Sequence, residues 1–324
     1  MKRRHLAQAL AAAPFLPGLA TAQTAEWKPD RPIRFVVGFA AGGSTDSSGR
    51  VVADGISSLL EQPVVVENRV GASGNIASEF VARSAPDGYT FVVASVGTHA
   101  TNQFLFRNMG FHVVRDFTPV SLVVVSGALL VVHPSVPVRN LVEFIAYAKA
   151  NPGKLNMGTA GPGSTQHFAG ALFEERAGVR FTHIPYRGGA PAMTDLVGGR
   201  LDVIFSPLAE VLPFVRAEQV RALGVTRPER MPSLPDMQTI AETVPGYDFS
   251  GWIGIFGPAG LPEPIVRRMS SVIAEAVRSP RTGGRLETLG YMPVGGPPEA
   301  MAEMQRQDVI LMEELVKLTG ATGD

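Results

Sequence analysis

The 324-residue chain contains no cysteine. That removes thiol nucleophiles, cysteine-held zinc, iron–sulfur clusters and disulfides from consideration, and a chain of this length buries enough core to do without cross-links. An excess of either charge is also missing: 29 Lys+Arg face 29 Asp+Glu, so there is no basic face of the kind a nucleic-acid partner requires. Long apolar runs are absent except at the start. There, Lys2, Arg3 and Arg4 precede an apolar stretch from Leu6 to about Leu19, followed by Ala20-Thr21-Ala22. This is the pattern of a secretory signal, residues 1–22, cleaved near Ala22. A membrane anchor is the competing reading, but Pro14 and Pro17 interrupt the stretch, and it falls short of the roughly 20 residues a spanning helix needs. Cleavage removes three basic residues and no acidic one, leaving 26 basic against 29 acidic. The remaining chain is expected to be soluble and to work outside the cytoplasm, and an anion drawn to it has to be attracted locally.

Strand-like runs alternate with helix-period segments through the rest of the chain, which predicts an α/β fold with mostly parallel sheets. The periodicity predicts strands over Ile33–Val37, Val64–Glu67 and Thr90–Val96, with helices over Asp46–Leu60 and Ile76–Val81 between them. The apolar runs Val120–Val125 and Ala128–His133 are separated only by Ser126-Gly127, as in a strand passing from one lobe to another. The alternation then restarts and continues to Arg221–Val225, and a proline-rich stretch over Arg227–Pro235 closes the set. Trp252–Phe256 is apolar again, and helices over Pro264–Val277 and Glu299–Leu318 end the chain, with Gly320 as C-cap. Leaving one sheet, building a second and returning predicts lobe I over 26–125 plus 246–324, lobe II over 126–245, and a ligand cleft between them.

Two stretches share one grammar of strand, Gly/Ser/Thr loop and helix: IRFVVGFAAGGSTD ending at Asp46, and LNMGTAGPGSTQH ending at His167. Such turns leave backbone N–H groups pointing outward at a helix start, which suits an anion; the plainer reading is two tight strand–helix turns. The first loop has P-loop spacing up to Gly43 but Ser44 where the lysine belongs, and Gly161 and Gly163 lack the third glycine of a dinucleotide fingerprint. What remains suits a carboxylate, phosphate or sulfate. Asp46 reads either as a first-turn carboxylate favouring the helix dipole or as a cleft group accepting from the ligand. Arg187, in Pro-Tyr-Arg-Gly-Gly, reads either as a bidentate clamp or as a surface arginine. The five histidines after the leader have neither metal-site spacing nor an acidic partner in sequence, and no Gly-x-Ser-x-Gly elbow occurs. Ser164 and His167 form the one hydroxyl–imidazole pair in a promising loop, better explained by helix capping.

Taken together, RPIRFVVGFAAGGSTD, QPVVVENRVGASGNIASEFVARSAPDGYT, GTHATN, NPGKLNMGTAGPGSTQHFAG, HIPYRGGAPAMTDLVGGRLDVIF and GWIGIFGPAGLPEPIV resemble the Bug family, the extracytoplasmic solute-binding components of tripartite tricarboxylate transporters. The resemblance runs over nearly all of the mature chain. It implies a periplasmic type II binding-protein fold whose two lobes close on a carboxylated solute held like a pincer by backbone amides and bridging waters. Carried over, it points to Phe39, Ala41, Gly42, Gly43, Thr45 and Asp46 in the first lobe and to Thr159, Ala160, Gly161, Ser164, Thr165 and His167 in the second. Thr98 and Arg187 follow as lesser candidates. The chain departs from the family at Ser206, where many members carry an acidic or amide residue. If that position reads the far end of the ligand, the missing charge makes an amino-acid ligand less secure. Arg187 replaces a more usual lysine, favouring a bidentate distal carboxylate.

The resulting expectation is a monomeric periplasmic protein, not an enzyme, with no cofactor, no metal and no nucleic-acid partner. It binds a mono- or dicarboxylate, or an amino acid, and hands it to separately encoded permease subunits in the membrane. The alternatives are an exported hydrolase built on Ser164 and His167, and a subunit that presents its ligand to a sensor kinase.

Overall fold

The computed structural model describes residues 27–186, 188–231 and 233–323; residues 1–22, where a signal sequence is expected, and Arg187 lie outside them. The chain opens with β1 (Ile33–Val37), α1 (Ser44–Leu60), β2 (Val64–Asn68), α2 (Asn75–Ala82), β3 (Thr90–Ser95), a short α3 (Asn102–Leu105) and β4 (Phe117–Ser126). It continues through β5 (Ala128–Val132), α4 (Leu141–Ala150), β6 (Asn156–Thr159), α5 (Thr165–Ala177), β7 (Thr182–Pro185), α6 (Gly189–Val197), β8 (Val203–Pro207), α7 (Leu208–Arg216) and β9 (Arg221–Val225). It ends with β10 (Gly251–Pro258), α8 (Glu263–Arg278), α9 (Pro280–Thr288), β11 (Met292–Gly296) and α10 (Pro298–Thr319).

Two sheets result, one in the order β11-β4-β10-β3-β1-β2 and one in the order β7-β6-β8-β5-β9. Both are mixed, which corrects the expectation of mostly parallel sheets. The β1–β2, β1–β3, β6–β7 and β6–β8 pairs are parallel, as right-handed crossovers through a helix require. The other pairs, made by β4, β5, β9, β10 and β11, are antiparallel. Strands that arrive from the other sheet enter from the opposite end, and local periodicity carries no trace of that direction.

On the first sheet, α1 and α8 cover one face through Val52, Ile56, Met269 and Ile273, while α2 and Met301 of α10 cover the other. On the second, α4 and α5 pack Phe144, Phe168 and Phe173 on one face, and α6 and α7 pack Leu196 and Val211 on the other. The far half of α10 leaves the first sheet: Met312 and Leu315 join the core of the second, and Arg176 of α5 pairs with Glu314 at 3.1 Å. The sheets are therefore joined by the β4–β5 link, by residues 226–250 and by α10.

One close approach depends on a missing side chain. A Cβ on Gly38, at the end of β1, would lie 2.5 Å from the Cα of Gly74, a backbone that has no room to yield. Gly74 closes a run of four residues with positive φ, including Ala72 (44°) and Ser73 (52°), anchored where Asn102 Nδ2 donates to the Ser73 carbonyl at 3.0 Å. Overpacking such a contact costs about 1–3 kcal/mol. Gly38→Ala is expected to lose that much stability in urea unfolding, whereas a change under about 0.5 kcal/mol would mean that the contact relaxes freely.

Candidate ligand-binding site

The two loops picked out in the sequence fold alike. In each, a turn closes on a backbone bond, Gly43 N–H to Ala40 O and Ser164 N–H to Gly161 O, both at 3.2 Å. Each turn has glycine at its third position with positive φ, 83° at Gly42 and 74° at Gly163, as a type II turn demands, and Pro162 suits the position before it. In each, that glycine donates its N–H to the side chain of the third helical residue. Gly42 donates to Asp46 Oδ2 at 2.8 Å, and Gly163 to His167 Nδ1 at 3.1 Å. The amides of Gly42, Gly43, Gly163 and Ser164 are thus used internally, and that of Gly161 lies 3.3 Å from Thr159 Oγ1. The seats are narrower than the sequence implies. What each offers is the first-turn N–H groups, Ser44 and Thr45 in α1 and Thr165 and Gln166 in α5, which have no partner within their helix.

Asp46 shapes its loop from a buried position. It is 1% exposed, and besides Gly42 it accepts from Arg50 Nε at 3.0 Å and from Asn68 Nδ2 at 2.7 Å. Burial pushes its carboxyl upward, but the bonds from Arg50, Asn68 and Gly42 outweigh that and hold it below the ordinary carboxylate value. His167 performs the same task with a neutral ring, since Nδ1 must be unprotonated to accept from Gly163. Burial first, and then the neighbouring His183, lower its pKa, against the pull of Glu174.

Ser164 caps α5 by accepting from the His167 N–H at 3.2 Å. Because His167 Nδ1 is engaged with Gly163, no hydroxyl–imidazole bond of a nucleophile and its base forms between them, and the hydrolase arrangement fails on geometry.

A cleft of about 490 Å³ lies between the loops. Phe39, Gly43, Ser44 and Thr45 line it from the first loop and Thr165 from the second; Ser126, Gly127 and Ala128 of the β4–β5 link and Gly251, Trp252 and Ile253 of β10 form its floor. Several sequence candidates lie elsewhere. Ala41, Thr159, Ala160 and Gly161 do not line it. Thr98 is 2% exposed, its hydroxyl bonded to the backbone of Ser95, and the end of β3 reaches the cleft through Ser95, Val96 and Gly97 instead. Ser206 is wholly buried. Arg187 lies outside the described residues. The sequence reading missed Glu210, in the first turn of α7, and Tyr291, which lies just before β11. A larger groove of about 730 Å³ beside β1 and α2 involves neither loop; its Arg31 and Arg83 are paired with Asp87 and Glu79. Among the described residues no group of three or more His, Asp or Glu is placed to hold a metal, and no helix is long and apolar enough to cross a membrane.

Residues 49–320 match the family model described as the tripartite tricarboxylate transporter family receptor, TctC. The chain belongs to that receptor family. Its family is one of binding proteins, not of enzymes. Protein BugT of Bordetella pertussis is 33% identical to this receptor over 306 residues, 94% of each chain. An R. palustris protein solved with adipate is 37% identical, with TM-score 0.74, covering 91% of this receptor and 99% of that chain. MatC from Rhodopseudomonas palustris, solved with bound malate, is 33% identical, with TM-score 0.69 and coverage of 89% and 99%. The α/β fold with two sheets is that of these two solved relatives and of the periplasmic binding protein BugD.

Proposed function

We propose that this receptor is a periplasmic monomer, exported by the signal at residues 1–22, that captures a small carboxylated solute in the 490 Å³ cleft and delivers it to membrane permease subunits. The lobes are residues 26–125 plus 246–324 and residues 126–245, with the far half of α10 resting on the second. The observation that carries this reading is the pair of equivalent helix starts, with Thr45 of α1 and Thr165 of α5 facing one cavity. Each start offers N–H groups and the positive end of a helix dipole to an anion. A ligand that touches both lobes only when they are closed shifts the equilibrium toward closure. The relatives solved with adipate and malate support a carboxylate as the anion.

The test is thermal unfolding of the mature chain, first unfolded and refolded to strip bound solute, against mono-, di- and tricarboxylates, amino acids and phosphate. At a hundredfold over Kd a specific ligand adds about 2.7 kcal/mol, a shift of about 4 °C or more for a chain of this size. A shift confined to carboxylates is the expected outcome; no shift, or one with phosphate alone, would remove the pincer.

A further inference from the structure

The first turn of α7 brings a charge to the cleft. Glu210 is the sole charged side chain among the described residues that line the cleft, and it shares that cavity with Ser44, Thr45 and Thr165. It stands over the start of α6. A Cβ on Gly189 would fall 2.7 Å from Glu210 Oε2 and 2.9 Å from Gln166 Nε2, so the bare glycine leaves the space these two groups occupy. Ser206, at the end of β8, is close enough to Glu210 for its hydroxyl to favour the carboxylate, while partial desolvation pushes the carboxyl the other way in a residue that still meets solvent.

Beside this carboxylate Gln166 Oε1 is buried with no hydrogen-bond partner, and Ser206 Oγ is buried with none in reach but the Glu210 carboxylate itself, in side chains 3% and 0% exposed. Buried polar atoms in folded proteins are nearly always paired, and each exception calls for an explanation. An amide oxygen and a carboxylate only accept, while a serine hydroxyl does either; the partner the cluster lacks is therefore a donor. No ion pair to Glu210 forms among the described residues. A second carboxylate brought to this end of the cleft would meet a negative charge that no described residue pairs, whereas an ammonium would find an acceptor of opposite charge.

We propose that Glu210, flanked by Gln166 and Ser206, is a subsite for the ammonium group of an amino-acid solute whose carboxylate is held at the starts of α1 and α5. The inference rests on the carboxylate reading above and narrows it from carboxylates in general to zwitterions. Glu210 is then a specificity residue that admits amino acids and repels dicarboxylates.

The test is calorimetric titration of the stripped mature chain with matched series of two to six carbons: straight-chain ω-amino acids, plain monocarboxylates and dicarboxylates, with the common L-amino acids alongside. At the best-binding length the amino acid is expected to bind at least about tenfold more tightly than either carboxylate. Glu210→Gln is expected to reduce that ratio at least about tenfold, and Glu275→Gln, on the exposed face of α8, to leave it alone. Circular dichroism confirms that both variants are folded. A dicarboxylate or plain monocarboxylate that binds as well as the amino acid, or a ratio unmoved in Glu210→Gln, overturns the subsite while the carboxylate reading stands. Absence of binding by every member of the series overturns both.

Discussion

Replacing Asp46 with alanine is expected to lower stability by about 3 kcal/mol and to weaken solute binding by about two orders of magnitude. The carboxylate is almost wholly buried and ties three separate pieces of chain to one point: the Gly42 amide of the loop, Arg50 one turn along α1, and Asn68 at the end of β2. Asn68 also donates to the Phe39 carbonyl at 2.9 Å, so the loop loses two anchors when one side chain goes. Arg50 is half exposed and rehydrates readily; the larger cost falls on the Gly42 N–H and the Asn68 amide. The binding loss follows from disorder in a seat whose donors have to be fixed before the anion arrives, and roughly 2.8 kcal/mol of lost preorganisation corresponds to a hundredfold. Asp46→Asn should fall most of the way to alanine, because its amide presents a donor where a second acceptor is needed. The sign with pH follows from the lowered pKa. The contribution is complete above the unfolded value near 3.9 and is lost as pH drops through the folded value, which lies below it. Urea unfolding and calorimetry at neutral pH check this, and a variant with wild-type stability and affinity would refute the anchoring role.

A second large effect is expected on the floor of the cleft, with the opposite sign. Trp252 of β10 donates its indole N–H to Asp308 of α10 at 2.5 Å, and Asp308 is 8% exposed. Burial lifts its pKa to about 7, with Asp248 adding to the rise and the Trp252 bond opposing it. Between the unfolded value near 3.9 and pH 7, the folded chain holds a proton that the unfolded chain has released. Stability therefore falls as pH rises through that window, by up to about 4 kcal/mol in total, and is level with respect to this group above it. Asp308→Asn keeps an acceptor for Trp252 and never ionises. It should match the wild type near pH 4 and exceed it by a few degrees or more in Tm at pH 8. Part of the slope will survive in the variant, because burial also raises Asp248. Parallel wild-type and variant profiles from pH 4 to 8 would refute the assignment.

The elements read from the sequence are those whose signal is local. Val51, Val52, Ile56 and Leu60 recur at helical spacing and are buried on one face of α1; Ile33–Val37 is an apolar run and forms an inner strand. The runs either side of Ser126-Gly127 read as a strand passing between lobes, although a two-residue loop can equally close a hairpin; the sheets decide it, with β4 ending at Ser126 in one and β5 starting at Ala128 in the other. Segments rich in breakers were missed. α9 contains Gly283 and Gly284 and begins with Pro280, although Ser279 ahead of that proline is a capping signal. β11 is an edge strand holding Pro293, Gly295 and Gly296, with an irregular register against β4. Proline is tolerated at such an edge because no neighbour asks for its missing N–H.

The sequence by itself determined that this chain is an α/β protein with two similar strand–loop–helix units, because hydrophobic period, glycine and capping residues act over a few neighbours. The tertiary structure alone decided which loop amides remain free, since Asp46 and His167 claim them only once each helix has formed and β2 has brought Asn68 alongside. It also decided that Glu210, from a helix with no motif of its own, shares a cleft with Thr45, a residue 165 positions earlier. Hydrogen bonds and charges act through space at a few ångströms, and which groups come within that range is set by how the sheets pack, not by their spacing along the chain.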